Sequence, residues 1–206
     1  MFVVVCKRIK HYFYYICKTL YQFQEFVKYS RVQMNKMQKS LTTERLVLRN
    51  IEVDEYENLF DIRFHPEVIK HIKRDIIDDK IELKAFILNR IQDVENGKIC
   101  FWGISELGYS KLIGTICLWN FNDEKTIAEI GYELHPDYHK KGFMSESINA
   151  VLNFGFDNLQ LKTIEAFTSK YNNSSKTLLK KFDFSLDINR KDRDFPDNII
   201  YIKHYA

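Results

Sequence analysis

Residues 128–147, A-E-I-G-Y-E-L-H-P-D-Y-H-K-K-G-F-M-S-E-S, run from strand-like alternation through a short basic turn into the start of a helix. The strand must sit in a sheet, the helix must cover that sheet, and the turn must bring the helix N-terminus to the strand's C-terminal end. There the first-turn N–H groups lack intrahelical acceptors, and the helix dipole adds partial positive charge. A phosphate at that end meets several donors at once. His139, Lys140 and Lys141 add side-chain charge, and Gly142, without a Cβ, lets a ligand approach the backbone. Alone, a strand–turn–helix with one glycine is a common element, so the rest of the chain has to decide its meaning.

Residues 43–51 (T-E-R-L-V-L-R-N-I) alternate like a half-buried strand. Asp54 and Glu57 have capping-box spacing and open a helix with Tyr56, Leu59, Phe60 and Phe64 on its apolar side. Pro66 suits the first position of a second, short helix. A third is expected over 79–96, with Leu83, Ile87, Ile91 and Val94 on one face and Gly97 just past its end. Residues 99–106, 111–121 and 126–134 read as an antiparallel meander, turning around Gly108 and N-D-E-K. A helix over 144–158, a strand over 162–169, a helix over 174–182 and strands over 184–189 and 199–204 complete the chain. The order β-α-α-α-β-β-β-α-β-α-β-β predicts one α/β (α+β) domain over 41–206. Its mixed central sheet would have about six to seven strands, with helices on both faces.

A chain of 206 residues holds one such domain plus an extension. Its net charge of +3 is too small to call for a nucleic-acid partner. Positive charge gathers in the N-terminal extension, residues 1–40, of which residues 1–33 carry Lys7, Arg8, Lys10, Lys18, Lys28 and Arg31 against Glu25. Ile9, Phe13, Ile16, Leu20, Phe23 and Val27 recur there at helical spacing, as in a helix lying on a membrane or a partner. The apolar run at 2–5 is too short to span a bilayer, and no basic segment precedes it as in a signal peptide. A natural start at Met34 or Met37 would make residues 1–33 dispensable, which is the preferred reading, and membrane contact is not expected. Cys6, Cys17, Cys100 and Cys117 form no C-x-x-C pair and read as reduced thiols of a cytoplasmic protein. His135 and His139 would need a helix to share a metal, and Pro136 interrupts one, so no metal is assigned.

Four stretches together resemble the GNAT superfamily of N-acetyltransferases, and among them the RimJ/RimL type that acetylates N-terminal amines of ribosomal proteins. They are T-E-R-L-V-L-R at 43–49, A-E-I-G-Y-E-L at 128–134, H-K-K-G-F-M-S-E-S at 139–147 and N-N-S-S-K-T-L-L-K-K-F-D-F at 172–184. The resemblance covers residues 41–206. It implies acetyl-CoA as cosubstrate, held by Tyr132, Leu134, His139, Lys140, Lys141, Gly142, Phe143, Met144, Ser145 and Asn172. His139 stands where the family usually has Gln or Arg, and Lys140 where this subfamily often has glycine. A backbone N–H near Tyr132–Leu134 would receive the developing oxyanion. Leu179 occupies the position where many relatives carry an acidic tyrosine, which turns attention to Ser175 as proton donor. Asp194 falls where RimL-like proteins carry a proposed catalytic carboxylate.

Glu129, on the strand before the phosphate loop, is a second candidate base; its plain alternative is a surface pair. For Asp194 the alternative is a charged loop, R-K-D-R-D, and for Asn172 it is helix capping. The implied reaction needs a neutral amine. An N-terminal α-amine has a pKa of about 7.8 and a lysine about 10.4, a difference of roughly 3.5 kcal/mol. A modest base therefore suits a protein N-terminus as acceptor. The other readings are a small-amine acetyltransferase, acting on a polyamine or aminoglycoside, and an acetyl-CoA-binding module without turnover. A homodimer is compatible with either.

Overall fold

The computed structural model describes residues 39–71 and 80–205. The expectations for the N-terminal extension, its helix and Cys6 and Cys17 included, lie outside the described residues.

The strands are β1 (Leu41–Thr42), β2 (Leu46–Arg49), β3 (Cys100–Glu106), β4 (Gly114–Trp119), β5 (Ile127–Leu134), β6 (Thr163–Ser169), β7 (Ser185–Asp187) and β8 (Asn198–His204). The helices are α1 (Tyr56–Phe64), α2 (Pro66–Ile69), α3 (Lys80–Glu95), α4 (Phe143–Asn153) and α5 (Asn173–Lys181). All eight strands form one mixed sheet in the order β1-β2-β3-β4-β5-β6-β8-β7. It has more strands than the six to seven expected because β1 is two residues long and shows no periodicity in sequence.

Helices cover both faces. On one, α4 and α5 contribute Phe143, Met144, Ile148, Val151, Leu152 and Leu179 to a core with Trp102, Ile116, Ile130 and Ile164 of the sheet. On the other, Leu59 and Ile62 of α1 and Leu83, Ile87 and Val94 of α3 pack on Ile51, Phe101 and Leu112. The expected stripe of α3 is thus the buried one. Gly97, at φ 65°, closes this helix in the left-handed conformation. Its N–H donates to Val94 O at 3.0 Å and that of Lys98 to Asp93 O at 2.9 Å, a Schellman ending.

Several strands are shorter than expected by one to three residues at an end, such as β4 at 114–119 within 111–121, and two helix boundaries differ in kind. The capping box lies two residues earlier than Asp54 and Glu57: Glu55 accepts the N–H of Glu52 at 2.8 Å, ahead of a short 3-10 turn Val53–Glu55. Glu55 is held there by Arg49, whose Nη1 and Nη2 donate to its two carboxylate oxygens at 2.9 and 2.6 Å. The helix expected over 144–158 stops as an α-helix at Asn153 and finishes as a π turn, Phe154–Asn158.

The feature that makes room for a ligand lies at the centre of the sheet. β5 and β6 are its one parallel pair among the described residues, and they pair only at Ile127–Thr163, Ala128–Ile164 and Glu129–Glu165. β5 then continues to Leu134 and β6 to Ser169 without pairing further with each other, so the sheet opens into a wedge between them. Backbone direction alternates along a strand. The N–H of His135 donates toward β4, to Ile113 O at 2.9 Å, so those of Tyr132 and Leu134 point to the open side.

Candidate active site

The turn between β5 and α4 has the conformation an anion cradle needs. Lys140 (φ 59°) and Gly142 (φ 83°) are both left-handed, and Gly142 is the residue before α4. The first intrahelical bond runs from Glu146 N to Gly142 O at 3.0 Å. The N–H groups of Phe143, Met144 and Ser145 precede it and have no acceptor within the helix. His139 turns back on β5. Its Nε2 lies 2.9 Å from Leu134 O, and because a carbonyl only accepts, that nitrogen carries the proton.

The turn is clamped from β2. Thr43 Oγ1, Arg45 N and Arg45 Nε all donate to the Glu146 carboxylate, at 2.5, 2.8 and 2.7 Å. Arg45 Nη1 donates to Lys141 O at 3.0 Å, and the guanidinium lies over the Phe143 ring at 4.8 Å. Burial pushes the Glu146 carboxyl up, but the hydrogen bonds from Thr43 and Arg45 outweigh it and hold the group below the ordinary glutamate range. A Cβ on Gly142 would come within 3.2 Å of Arg45 Nη2, so clamp and left-handed turn fit each other.

Two cavities flank the wedge. The smaller, about 450 Å³, is lined by Tyr132, Leu134, His139, Lys140, Gly142, Phe143, Met144, Ser145, Asn172 and Ser175. Lys141 lines neither cavity; its ammonium sits 5.1 Å over the Tyr138 ring. α5 closes the smaller cavity with Ser174, Thr177, Leu178 and Lys181, whose Nζ donates to Ser145 Oγ at 3.3 Å. A cationic group therefore stands at the N-terminus of α4, supplied by another helix. The sequence reading missed it, although 174, 177, 178 and 181 have the spacing of one helix face.

The larger cavity, about 1260 Å³, lies between Phe86, Phe101, Trp119 and Glu129 on one side and Phe167, Tyr171 and the loop 189–198 on the other. Trp102, by contrast, is fully buried and donates Nε1–H to Lys39 O at 2.9 Å. Glu129 and Asp194 line the larger cavity and not the smaller. Burial raises the Glu129 carboxyl, partly offset by Asn120 Nδ2, which donates to it at 2.6 Å; the neighbouring Glu165 raises it further. Glu165 in turn is bridged by Arg190, which also binds Asp187, each contact at 2.7 Å. Asp194 is exposed, and its loop is organised by Asp192, which accepts from Asp194 N and Phe195 N at 3.0 and 3.1 Å and from Asn198 Nδ2 at 2.8 Å. Cys117 also lines this cavity, but burial pushes its thiol up to about 12.

The two cavities meet at Lys70, His71, Tyr132, Glu133, Asn172 and Ser175. Asn172 caps α5, its Oδ1 accepting from Ser175 N at 3.0 Å. That fulfils the capping role and leaves the amide nitrogen for the cavity. Glu133 is bonded to Arg63 at 3.0 Å. Ser175 is 8% exposed, and its Oγ lies 2.8 Å from the phenol oxygen of Tyr132. Burial raises the Tyr132 phenol to about 12, against the lowering effect of that hydrogen bond. Side chains alternate along β5, so Tyr132 and Glu129 stand on opposite faces of the strand. Chemically, the site offers an anion cradle, a buried hydroxyl pair at the neck and a carboxylate across the strand.

Comparison with known proteins places this arrangement. The GNAT acetyltransferase domain family matches residues 45–185. An N-acetyltransferase of Bacillus licheniformis is 32% identical over 71% of this chain and 82% of its own length. YoaA of Bacillus subtilis, also named as an N-acetyltransferase, is 31% identical over 70% of this chain and 81% of its own. Among solved structures, RimL, a ribosomal L7/L12 α-N-protein acetyltransferase in complex with coenzyme A, superposes with a TM-score of 0.72. It covers 81% of this chain and 98% of its own at 14% identity, a likeness of fold.

Proposed function

We propose, from the premise that this chain belongs to the GNAT acetyltransferase family, that it moves an acetyl group from acetyl-CoA to the α-amine of a protein N-terminus. The observation that carries the reading is the meeting of the two cavities at Tyr132 and Ser175, under the open edge of β5. The smaller cavity suits the cosubstrate. Three first-turn N–H groups, the left-handed turn at Lys140 and Gly142, and the ammonium groups of Lys140 and Lys181 favour a diphosphate. Acetyl-CoA supplies an acetyl group activated as a thioester.

The chain's own residues divide the remaining work. His139, Lys140, Gly142, Phe143, Met144 and Ser145 hold the phosphates, and Lys141 steadies the loop through its carbonyl. The amide nitrogen of Asn172 faces the arm of the cosubstrate, and the N–H of Tyr132 or Leu134 faces the oxygen that gains charge. Ser175 delivers a proton to the departing sulfur. Glu129 takes one from the amine, directly or through water; its raised carboxyl is a better base than an exposed glutamate. Asp194, at the rim, helps to draw the cationic acceptor in.

Two observations favour a protein N-terminus over a small amine. The larger cavity exceeds the ~300–1,000 Å³ usual for small ligands and has room for several residues of an extended peptide. An α-amine also asks less of the base than a lysine, by roughly 3.5 kcal/mol. The related fold of an α-N-protein acetyltransferase agrees with this choice. Coenzyme A release from acetyl-CoA, measured against N-terminal peptides, polyamines and aminoglycosides, tests it. Turnover with peptides and little with the others is expected. Release with the small amines alone overturns the acceptor, and binding without release to any of them overturns the enzyme.

A further inference from the structure

The hydroxyl pair at the neck of the two cavities gives Tyr132 a place beside Ser175 that the proposed reaction does not use. The 2.8 Å contact lets either hydroxyl donate; the phenol is the more acidic of the two, and with Tyr132 Oη–H donating, Ser175 Oγ accepts. Among the described residues neither hydroxyl has another side-chain partner. Ser175 Oγ, already accepting from Tyr132, then keeps its own hydrogen for the cavity. Its backbone is fixed as well, because its N–H is taken by Asn172 Oδ1 at 3.0 Å. A serine whose main chain is capped, whose oxygen is engaged by Tyr132 and which lines both cavities has its hydroxyl hydrogen available at their junction.

We infer that Tyr132 is a positioning residue for acetyl transfer, which orients and polarises the Ser175 hydroxyl so that it protonates the departing sulfur of the thioester. The inference rests on the proposed reaction. The step balances as follows. The amine nitrogen forms a bond to the acetyl carbon, the carbon–sulfur bond breaks, and its electron pair leaves with sulfur. Sulfur takes the Ser175 proton. Tyr132 stabilises the oxygen left behind through its donated hydrogen bond, and the proton that Glu129 takes from the amine passes on through water in the cavity to restore the Ser175 hydroxyl. Tyr132 remains a donor throughout the neutral range, since its phenol titrates only at about 12.

The experiment is a double-mutant cycle of Tyr132→Phe, Ser175→Ala and both together, read by single-turnover acetyl transfer at saturating acetyl-CoA. Thermal unfolding and acetyl-CoA binding are followed alongside. Tyr132→Phe keeps the ring and its packing. The expected result is a fall of about tenfold in the transfer rate for Tyr132→Phe and about a hundredfold for Ser175→Ala. The double variant should be no slower than Ser175→Ala, because a residue acting only through Ser175 is silent once that hydroxyl is gone. Acetyl-CoA binding and the unfolding midpoint stay near wild type. Multiplying losses in the double variant, or a wild-type rate in Tyr132→Phe, overturns the inference while leaving the proposed reaction intact. A wild-type protein that binds acetyl-CoA and transfers to no amine overturns the reaction, and the inference falls with it.

Discussion

The smaller cavity takes its backbone donors from one continuous turn, residues 139–145, and its other polar groups from α2, β5 and α5, while the larger one gathers side chains from α3, β3, β4, β5, β6 and the loop before β8. The first offers backbone N–H groups in a conformation fixed by Gly142 and by the Arg45–Glu146 clamp. The second offers aromatic faces and a carboxylate whose ionisation depends on burial and on Glu165 and Arg190 nearby. A cradle of backbone donors suits a ligand that never varies. A wall of side chains can be changed one residue at a time without disturbing the fold, which suits an acceptor. If that division is right, substitutions in each cavity should move the kinetics of one substrate and leave the other alone.

The largest effect is expected on the acceptor side. Glu129→Gln removes the base and should lower kcat/KM for an N-terminal peptide by about a hundredfold, with acetyl-CoA binding near wild type by calorimetry. In the wild type, kcat/KM should fall on acidification through a pKa above the ordinary ~4.3 of glutamate, because the base must be ionised to act and burial raises its carboxyl. A variant with wild-type rates and an unchanged acid limb would remove Glu129 from the reaction.

On the cosubstrate side, Gly142→Ala places a Cβ at φ 83° and 3.2 Å from Arg45 Nη2. Left-handed backbone costs a non-glycine residue roughly 1–2 kcal/mol, so acetyl-CoA should bind about tenfold more weakly by titration calorimetry while the acceptor KM holds. Equal losses for both substrates would break the division. Lys181→Ala removes a single ammonium group near a helix N-terminus and should weaken acetyl-CoA binding by only about threefold. That difference should shrink in high salt.

The same contrast explains what could be read from the sequence. The turn at 139–145 is local, and glycine and helix-start signals mark it directly. The meander and the Gly97 ending were equally local and came out in place. The clamp was invisible because Thr43 and Arg45 lie 103 and 101 residues from Glu146. The Tyr132–Ser175 contact spans 43 residues, and only the wedge between β5 and β6 brings the two together. The capping box was misplaced because Glu52 is not a favoured capping residue, whereas Asp54 is; the pull of Arg49 on Glu55 decides it. Lys141 was counted with its neighbours by adjacency, but its side chain turns to Tyr138.

The smallest effect concerns stability, and it separates the two cavities by sign. The folded state holds the Glu129 carboxyl above its unfolded value, chiefly by burial. Whatever stability that group contributes is therefore present below the unfolded pKa and lost as pH rises through the folded one. At neutral pH the ionised, half-buried carboxylate weighs against folding, and Glu129→Gln, which can keep a bond to Asn120, should raise the unfolding midpoint by about a degree or two. Below the unfolded pKa the gain should vanish. Glu146, held low by Thr43 and Arg45 despite its burial, has the opposite sign. Its stabilisation is full above the unfolded pKa and is lost as pH falls through the folded one, so Glu146→Gln should lower the midpoint at neutral pH. Scanning calorimetry of both variants at neutral and acid pH reads the two signs together. A neutral-pH midpoint that drops in both would mean that Glu129 is a structural ion like Glu146 and not a carboxylate kept ready for a proton.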